Sequence, residues 1–424
     1  SAMKSSQSSA MLALIFCSAL ANSGNVSGKE PSKQWAQWRG PDRTGHIDPA
    51  LPWPTSLKEG ELDQTWRVEL GPSYSSPIIT DKHVFVTETV DRKYEVIRAL
   101  DRETGNQAWE VKWEGAIKVP FFAQSNGSWI RATPIFDEGR LYVAGIRDVL
   151  TCIDAESGKE IWTVDFVKDH GGQVPSFGFV SSPMIDGKYL YVQAAGGFVK
   201  LEKATGKLVW NGLKDGGGMM GSAFSSPVKA TIAGTPQMVV QTRTKLCGVD
   251  QENGKMLWSQ DVPAFRGMNI LTPTVVGNRV FTSSYGGESF LYDVKKDGND
   301  WAVEQVWANR KQGYMSSPVV IDNHVYMHLR NQRFTCIDLE TGKDTWTTES
   351  FGKYWSLVTN GKHILALDER GELLLIKANP NKFELIESRK IADAETWAHL
   401  GISDHELFVR ELNAMAVYRW KDSP

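Results

Sequence analysis

The sequence predicts an all-β fold: an eight-bladed β-propeller of four-stranded antiparallel blades, its ring closed by a strand from the N-terminal side. Three observations carry the prediction. The phrase "ALDRETGNQAW" (Ala99 to Trp109) returns as "CIDAESGKEIW" (Cys152 to Trp162), "KLEKATGKLVW" (Lys200 to Trp210), "GVDQENGKMLW" (Gly248 to Trp258) and "CIDLETGKDTW" (Cys336 to Trp346). A period of this size marks a stack of repeated units. Second, "SSPI" (Ser75), "ATPI" (Ala132), "SSPM" (Ser181), "SSPV" (Ser225), "LTPT" (Leu271) and "SSPV" (Ser316) open successive units, with weaker relatives at "WSLV" (Trp355) and "WAHL" (Trp397), which makes eight starts. Third, the last unit ends at "MAVYRW" without a fourth strand, while "QTWRVEL" (Gln64 to Leu70) reads as a Trp-bearing fourth strand standing before the first unit.

From the N-terminus, Ser1-Ala2 reads as an expression scar, and Met3 to Ala21 as an export signal whose apolar run "MLALIFCSALA" ends on the small-residue pattern Ala19-Leu20-Ala21. A lipoprotein signal through Cys17 is the alternative, and the bulky Phe16 before it speaks against that. Residues 22–63 form an N-terminal arm in which Trp35, Trp38 and Trp53 lie among prolines and should pin the arm to the ring. Residues 64–420 form the propeller, with Gln64–Leu70 closing blade eight so that no sheet edge stays open.

Each start is followed by a short apolar strand, a turn, a second strand, a hairpin, a third strand, the Asp/Thr-Gly turn and the Trp-bearing strand, which is a propeller blade. In Asp101-Arg-Glu-Thr104-Gly105 the carboxylate is expected to accept turn N–H groups while Gly supplies positive φ for a bulged hairpin. The Trp on the outer strand should cover the neighbouring blade. Blade five replaces the Thr-Gly turn by "KKDGNDWAVEQVW", whose Asp-Gly-Asn-Asp is read as a turn because calcium's other alternating ligands are missing. Blade seven, "KFELIESRK", has no Trp.

Composition narrows function. A net charge of −3 removes any nucleic-acid footprint. No stretch reaches the roughly 18 continuous apolar residues of a membrane span. Beyond the signal, Cys152, Cys247 and Cys336 have no paired spacing and read as buried small hydrophobes. There is no nucleophile elbow, phosphate loop, metal-binding helix or dinucleotide fingerprint.

The repeat resembles the PQQ-like β-propeller family, in which A-x-D-x-x-T-G-x-x-x-W docks one blade on the next; Ala99, Asp101, Thr104, Gly105 and Trp109 match it throughout, and Asp338, Thr341, Gly342 and Trp346 follow closely. With the blade starts included, the resemblance spans roughly residues 64 to 420. It implies the eight-bladed ring and two kinds of relative. Quinoprotein dehydrogenases hold pyrroloquinoline quinone (PQQ) with Ca²⁺ above the ring, and BamB-like exported scaffolds use the ring without catalysis. This chain lacks the adjacent Cys-Cys pair and the long insertions of the dehydrogenases, and no position matches their Ca²⁺ ligands or catalytic Asp. "QWAQWRGPDRTG" (Gln34 to Gly45) resembles the leader of exported propellers of this type.

Binding chemistry is expected on the face carrying the long inter-blade connections "WEGAIKVPFFAQSNGSWIR", "FVKDHGGQVPSFGFV", "NGLKDGGGMMGSAF" and "DVPAFRGMNI". Trp129, Trp355 and Trp397, near blade starts, should point toward the channel, as an aromatic platform or as filling of its mouth. Arg147, Arg243, Arg330, Arg92-Lys93, Lys245, Arg333 and Arg370 on middle hairpins, with Arg131 and Arg266 on the connections, form either a positive rim for a carboxylated or phosphorylated ligand or solvated tips. His399 and His170, with Asp393 and Glu395 nearby, are read as structural histidines or as a general base.

The sequence thus predicts an exported, periplasmic or envelope propeller, non-catalytic, that binds an envelope protein through its long-loop face. The alternative is a small PQQ- and Ca²⁺-dependent dehydrogenase of alcohols or sugars; an anionic or sugar ligand is the alternative partner. No catalytic residue, metal ligand or cofactor is assigned.

Overall fold

The computed structural model describes residues 33–214 and 223–422. The export signal, Cys17 and part of the connection "NGLKDGGGMMGSAF" lie outside the described residues. Among the described residues thirty-two strands make eight four-stranded antiparallel sheets, seven of them meanders that run from an innermost to an outermost strand. Blade one runs through Ile78–Ile79, His83–Val90, Tyr94–Asp101 and Gln107–Glu114. Blade eight takes Gly401–Ser403, Glu406–Glu411 and Ala414–Trp420 from the C-terminal end and its outer strand, Leu62–Glu69, from the other. That strand pairs antiparallel with the last one, Trp66 opposite Val417 and Glu69 opposite Ala414, so the ring closes through backbone hydrogen bonds as expected.

The repeated phrase has one physical job in three parts. Asp101 Oδ1 accepts the N–H groups of Glu103 and Thr104 (3.0 and 2.9 Å) and the Thr104 hydroxyl (3.0 Å), and these bonds, Thr104's first, hold the carboxyl below its usual range. Gly105 continues the turn at φ 76°, and the register slips between Ala99 and Leu100, a bulge that re-aims Trp109. The indole then crosses to the next blade. Its N–H donates to the carbonyl just beyond the neighbour's turn acid, an Asp or, in blade three, Glu202: Trp109 to Ala155 (3.0 Å), Trp162 to Lys203 (2.9 Å), Trp307 to Leu339 (2.7 Å). Trp66 does the same across the closure, to Arg102 (2.8 Å). The ring of each indole lies on the neighbour's turn glycine, so closely that a Cβ on Gly105 would stand 2.6 Å from Trp66 and one on Gly158 2.7 Å from Trp109. The glycine is therefore needed twice, for its φ and for its missing side chain.

Three junctions depart. Trp346 donates to the Asn379 carbonyl of blade seven (2.8 Å), whose turn has no glycine. Trp258 faces a blade without the Thr-Gly turn and donates within its own blade, to Gln237 Oε1 (2.6 Å). The outer strand of blade seven, Glu384–Lys390, has no Trp and grips the arm instead: Glu387 accepts from Leu57 N (2.8 Å), and Arg389 donates to the carbonyls of Leu57 and Leu62 (2.9 and 2.5 Å). In blade five Asp297 pairs with Asp300 across a tight hairpin turn with Gly298 at φ 60°.

Near the axis, hydroxyls of the blade-start phrases tie blades to their neighbours. Ser76 N donates to Thr133 Oγ1, Thr133 N to Ser182 Oγ, Ser182 N to Ser226 Oγ and Thr272 N to Ser317 Oγ, all at 3.0 to 3.1 Å, and His399 N closes back on Ser76 Oγ (3.0 Å). This collar pairs buried backbone donors that no β-ladder reaches.

The arm plugs the channel. Trp35 exchanges two backbone bonds with Ile79 (2.9 Å each), Ala36 accepts from Phe136 N (2.8 Å), and Ile47 N donates to Thr359 (2.9 Å), so residues 35–47 touch inner strands on several sides. Arg39 donates to the Pro318 carbonyl (2.5 Å), and Arg43 to those of Ser182 and Pro183 (both 2.8 Å). Both guanidiniums are buried without a carboxylate within ion-pair distance among the described residues; burial lowers Arg39 to about 10 and Arg43 to about 9, which leaves both charged at neutral pH. Cys152, Cys247 and Cys336 form no disulfide among the described residues and are buried in the sheets.

Candidate functional site

On the long-connection face the ring opens into an axial cavity of about 170 Å³. Its wall has a simple rule: blades one to seven contribute the residue immediately before the start phrase, and blade eight the first residue of its own. Blades one to four give Tyr74, Arg131, Val180 and Phe224, and blades five to eight give Ile270, Met315, Tyr354 and Trp397. The floor is the collar, through Ser182, Ser226, Thr272 and His399, with Trp38 of the plug bonded to Thr272 Oγ1 (2.9 Å).

A second cavity of the same volume lies beside the first and shares Phe177, Phe224, Met268 and Tyr314 with it. Its outer side is built by two short 3-10 segments on the connections, Phe121–Asn126 and Phe265–Gly267, which bring Phe122, Ala123, Phe265 and Arg266, and by Tyr285. The aromatics are in mutual contact: Tyr354 stacks flat on Trp397 (5.8 Å, 2°), Tyr74 leans on Trp397 (5.5 Å), Phe177 meets Phe224 (5.6 Å), and Tyr285 meets Tyr314 (5.1 Å). Phe121 is 87% exposed and Phe122 54%, so the apolar surface runs out onto the face.

Three arginines lie against these rings. Arg131 sits 5.8 Å from the Tyr74 centroid, Arg266 stands over Phe122 and Phe265 (5.5 and 5.0 Å), and Arg330 over Tyr285 (4.1 Å). Arg131 spends two hydrogen bonds on the carbonyls of Trp129 and Gly127 (3.1 and 3.0 Å). Desolvation lowers it to about 10, so it stays a cation at neutral pH. Burial pushes the Tyr74 phenol up to about 12, with exposed Glu395 adding to the shift and Arg131 opposing it.

The sequence candidates fall into distinct places. Arg131, Trp397 and His399 line the axial cavity, and Arg266 lines its neighbour. Arg330 lies on the rim against Tyr285, Arg147 is exposed and donates to the Ala116 carbonyl (2.9 Å), and Arg243 lines a small separate recess with Asp148 and Gln193. Arg92, Lys93, Arg333 and Arg370 are exposed, Arg370 against Asp368 (3.0 Å), while Lys245 is half-buried. Trp129 is half-buried under Gly127 and Arg131.

Trp355 is the displaced one. It is fully buried among Phe334, Phe351 and His328, with its indole N–H on Asp368 Oδ2 (2.9 Å), so it is core and meets no ligand. The reason is a shift of one residue: Trp355 occupies the position of Ser75, one step inside the wall position that Tyr354 holds and that Trp397 fills in blade eight. His399 is also structural. Its ring lies between Trp35 and Trp38, Nδ1 meets the Leu400 carbonyl (2.7 Å), and burial with nearby Arg39 depresses it to about 3, so it takes up no proton near neutral pH. His170 ends the short helix Phe166–His170 and is exposed. Of the wall residues that sequence reading missed, Tyr74, Phe224 and Tyr354 were marked by their place just before the start phrases, and Tyr314 stands one residue further out.

A calcium-bound quinone does not fit these residues. No group of three or more acidic, His or Cys side chains among the described residues is placed to hold an ion, and about 170 Å³ falls below the roughly 300 to 1,000 Å³ of small-molecule pockets. No described helix is long and apolar enough to cross a membrane.

Comparison with known proteins agrees with the geometry. A sequence profile described as outer membrane protein assembly factor BamB matches residues 93–348. The outer membrane protein assembly factor BamB of Moranella endobia is 21% identical over 363 residues, covering 81% of this chain and 87% of the relative. The crystal structure of BamB from Moraxella catarrhalis superposes with a TM-score of 0.63 at 16% identity, covering 85% of this chain and all of the other. A europium-containing methanol dehydrogenase superposes with a TM-score of 0.52 at 11% identity, a likeness of fold alone.

Proposed function

The chain belongs to the family described as outer membrane protein assembly factor BamB, and from that premise we propose that it is an exported, non-catalytic propeller that binds an envelope protein through the face bearing its long inter-blade connections. One observation supports this face over the other: the paired cavities open here, surrounded by exposed Phe121, Phe122 and Phe265 and by Arg131, Arg266 and Arg330. Apolar patches rimmed by polar groups mark interaction sites, and aromatic residues with arginine are the enriched anchors of protein interfaces. Arg147, Arg243 and Trp129 belong to the periphery of the same face. The plug favours a closed scaffold, since the axis offers a floor for docking and no passage.

The reading is tested by capturing partners from a solubilised envelope fraction with the purified propeller and with a variant carrying Phe121→Asp and Phe122→Asp. The partner should be retained by the first and lost by the second. Equal retention would place the interface elsewhere, and no retained envelope protein would refute the binding role. Secretion of the full-length chain, followed by fractionation, tests export.

A further inference from the structure

Resting on that reading of the face, we infer that the two cavities receive an extended acidic segment of the partner, with two apolar side chains at alternate positions as anchors and a carboxylate beside them. The size argument comes first. Each cavity, at about 170 Å³, suits one large side chain, and the two are separated only by shared wall residues, among them Phe177 and Tyr314. Side chains at positions i and i+2 of an extended chain leave the same face about 7 Å apart, so neighbouring cavities with a common wall match alternate residues better than one continuous ligand.

Charge supplies the second argument. Some arginines of the ring meet acids, such as Arg67 with Glu411, Arg98 with Glu88, Arg102 with Glu406 and Arg370 with Asp368, and others, such as Arg39, Arg43 and Arg389, cap backbone carbonyls in the interior or against the arm. The cavity arginines stand instead against an aromatic wall that opens to the face. Among the described residues, Arg131, Arg266 and Arg330 have no carboxylate within 4 Å and rest on carbonyls and aromatic faces. Glu395, whose charge acts on Tyr74, is exposed and forms no ion pair with Arg131. One cation thus stands at each cavity, Arg131 in the axial one and Arg266 in the other, over an apolar wall without acid. Arginine guanidiniums bind carboxylates with paired hydrogen bonds, so the complement is an anionic segment with apolar anchors. A polycation would be repelled, and a neutral apolar peptide would leave the guanidiniums without a counter-charge.

The test uses fluorescein-labelled decapeptides in which Phe-Asp-Phe, Ala-Asp-Ala or Phe-Asn-Phe is set in Gly-Ser flanks, with binding read by anisotropy. Phe-Asp-Phe should bind at least tenfold more tightly than either control. Arg131→Gln should weaken it about tenfold, the expected loss of a charged hydrogen-bond pair, and Ile270→Trp, which fills the axial cavity, should weaken it further; far-UV circular dichroism and melting confirm that each variant is folded. Equal affinity for the three peptides, or variants that are folded and bind unchanged, would overturn the inference. Envelope capture run in parallel separates the two claims: a partner retained equally by the wild-type protein and both variants refutes the cavity segment while leaving the binding role intact.

Discussion

Replacing Trp66 by alanine should loosen the one place where the two ends of the chain are joined. The indole is 7% exposed, lies on Gly105 of blade one and donates to the Arg102 carbonyl at 2.8 Å. A buried Trp removes about 200 Å² from water, which at about 25 cal/mol per Å² is at most about 5 kcal/mol; measured Trp-to-Ala changes cost about 3 to 5 kcal/mol. The Arg102 carbonyl loses its donor, about 1 kcal/mol more. A total of about 4 to 6 kcal/mol is large against the roughly 5 to 15 kcal/mol of an ordinary domain. Because the outer strand can detach without the rest of the ring, the effect should appear locally. Hydrogen exchange followed by mass spectrometry should show amides of Leu62–Glu69 exchanging about 10³-fold faster, with blade four little changed. Trp66→Phe, which keeps most of the apolar contact, should cost only about 1 kcal/mol. Protection of residues 62–69 within threefold of wild type in the alanine variant would refute the claim that this indole seals the ring.

Glu95 provides a pH test. Burial raises its carboxyl to about 7, against the Ile146 N–H, the Trp113 indole and nearby Arg147, which all favour the charged form. The folded protein therefore holds a proton that the unfolded chain loses above about pH 4.5, and stability should fall between about pH 4.5 and 7 by up to about 3 kcal/mol, then level off. Glu95→Gln should remove that slope in urea titrations, and a wild-type-minus-variant difference independent of pH would exclude the assignment. Gly342→Ala, at φ 74° with a Cβ 2.4 Å from Trp307, should cost clearly more than Gly361→Ala, at φ 87° with nothing within 4 Å, whose penalty is the backbone's alone, about 1 to 2 kcal/mol; equal melting shifts would deny the packing role of the turn glycine. Arg389→Ala should cost about 2 to 3 kcal/mol through its bonds to Leu57 and Leu62 and expose residues 48–62 to proteolysis, whereas an unchanged digestion pattern would show that blade seven holds the arm by other means.

The ring was legible because its signals are local and repeated. The Asp/Thr-Gly turn, the bulge and the Trp lie within eleven residues, and the surplus strand at one end matches the deficit at the other. The expected closing strand began at Gln64, and it begins at Leu62, a difference of strand fraying. What stayed hidden depends on contacts between distant segments. The arm was expected to pin to the ring, but nothing in "QWAQWRGPDRTG" states that Arg39 and Arg43 would cap Pro318 and Pro183 at the axis, because their partners are backbone carbonyls that carry no residue identity. The serines of the start phrases served as markers; their role as an interblade collar appears only when eight blades face one another. Trp355 and Trp397 show the limit most clearly. Both stand at weak starts, and one residue of register separates a core indole from one that lines the cavity.

The most direct test of the account is site-specific photo-crosslinking in intact cells, with p-benzoylphenylalanine placed at Phe122, beside the cavities, and at Glu103, on the turn at the opposite face. A partner adduct from position 122 and none from position 103 is the expected result. Adducts from position 103 alone would contradict it, because the propeller would then meet its partner with the face that carries the blade-docking turns.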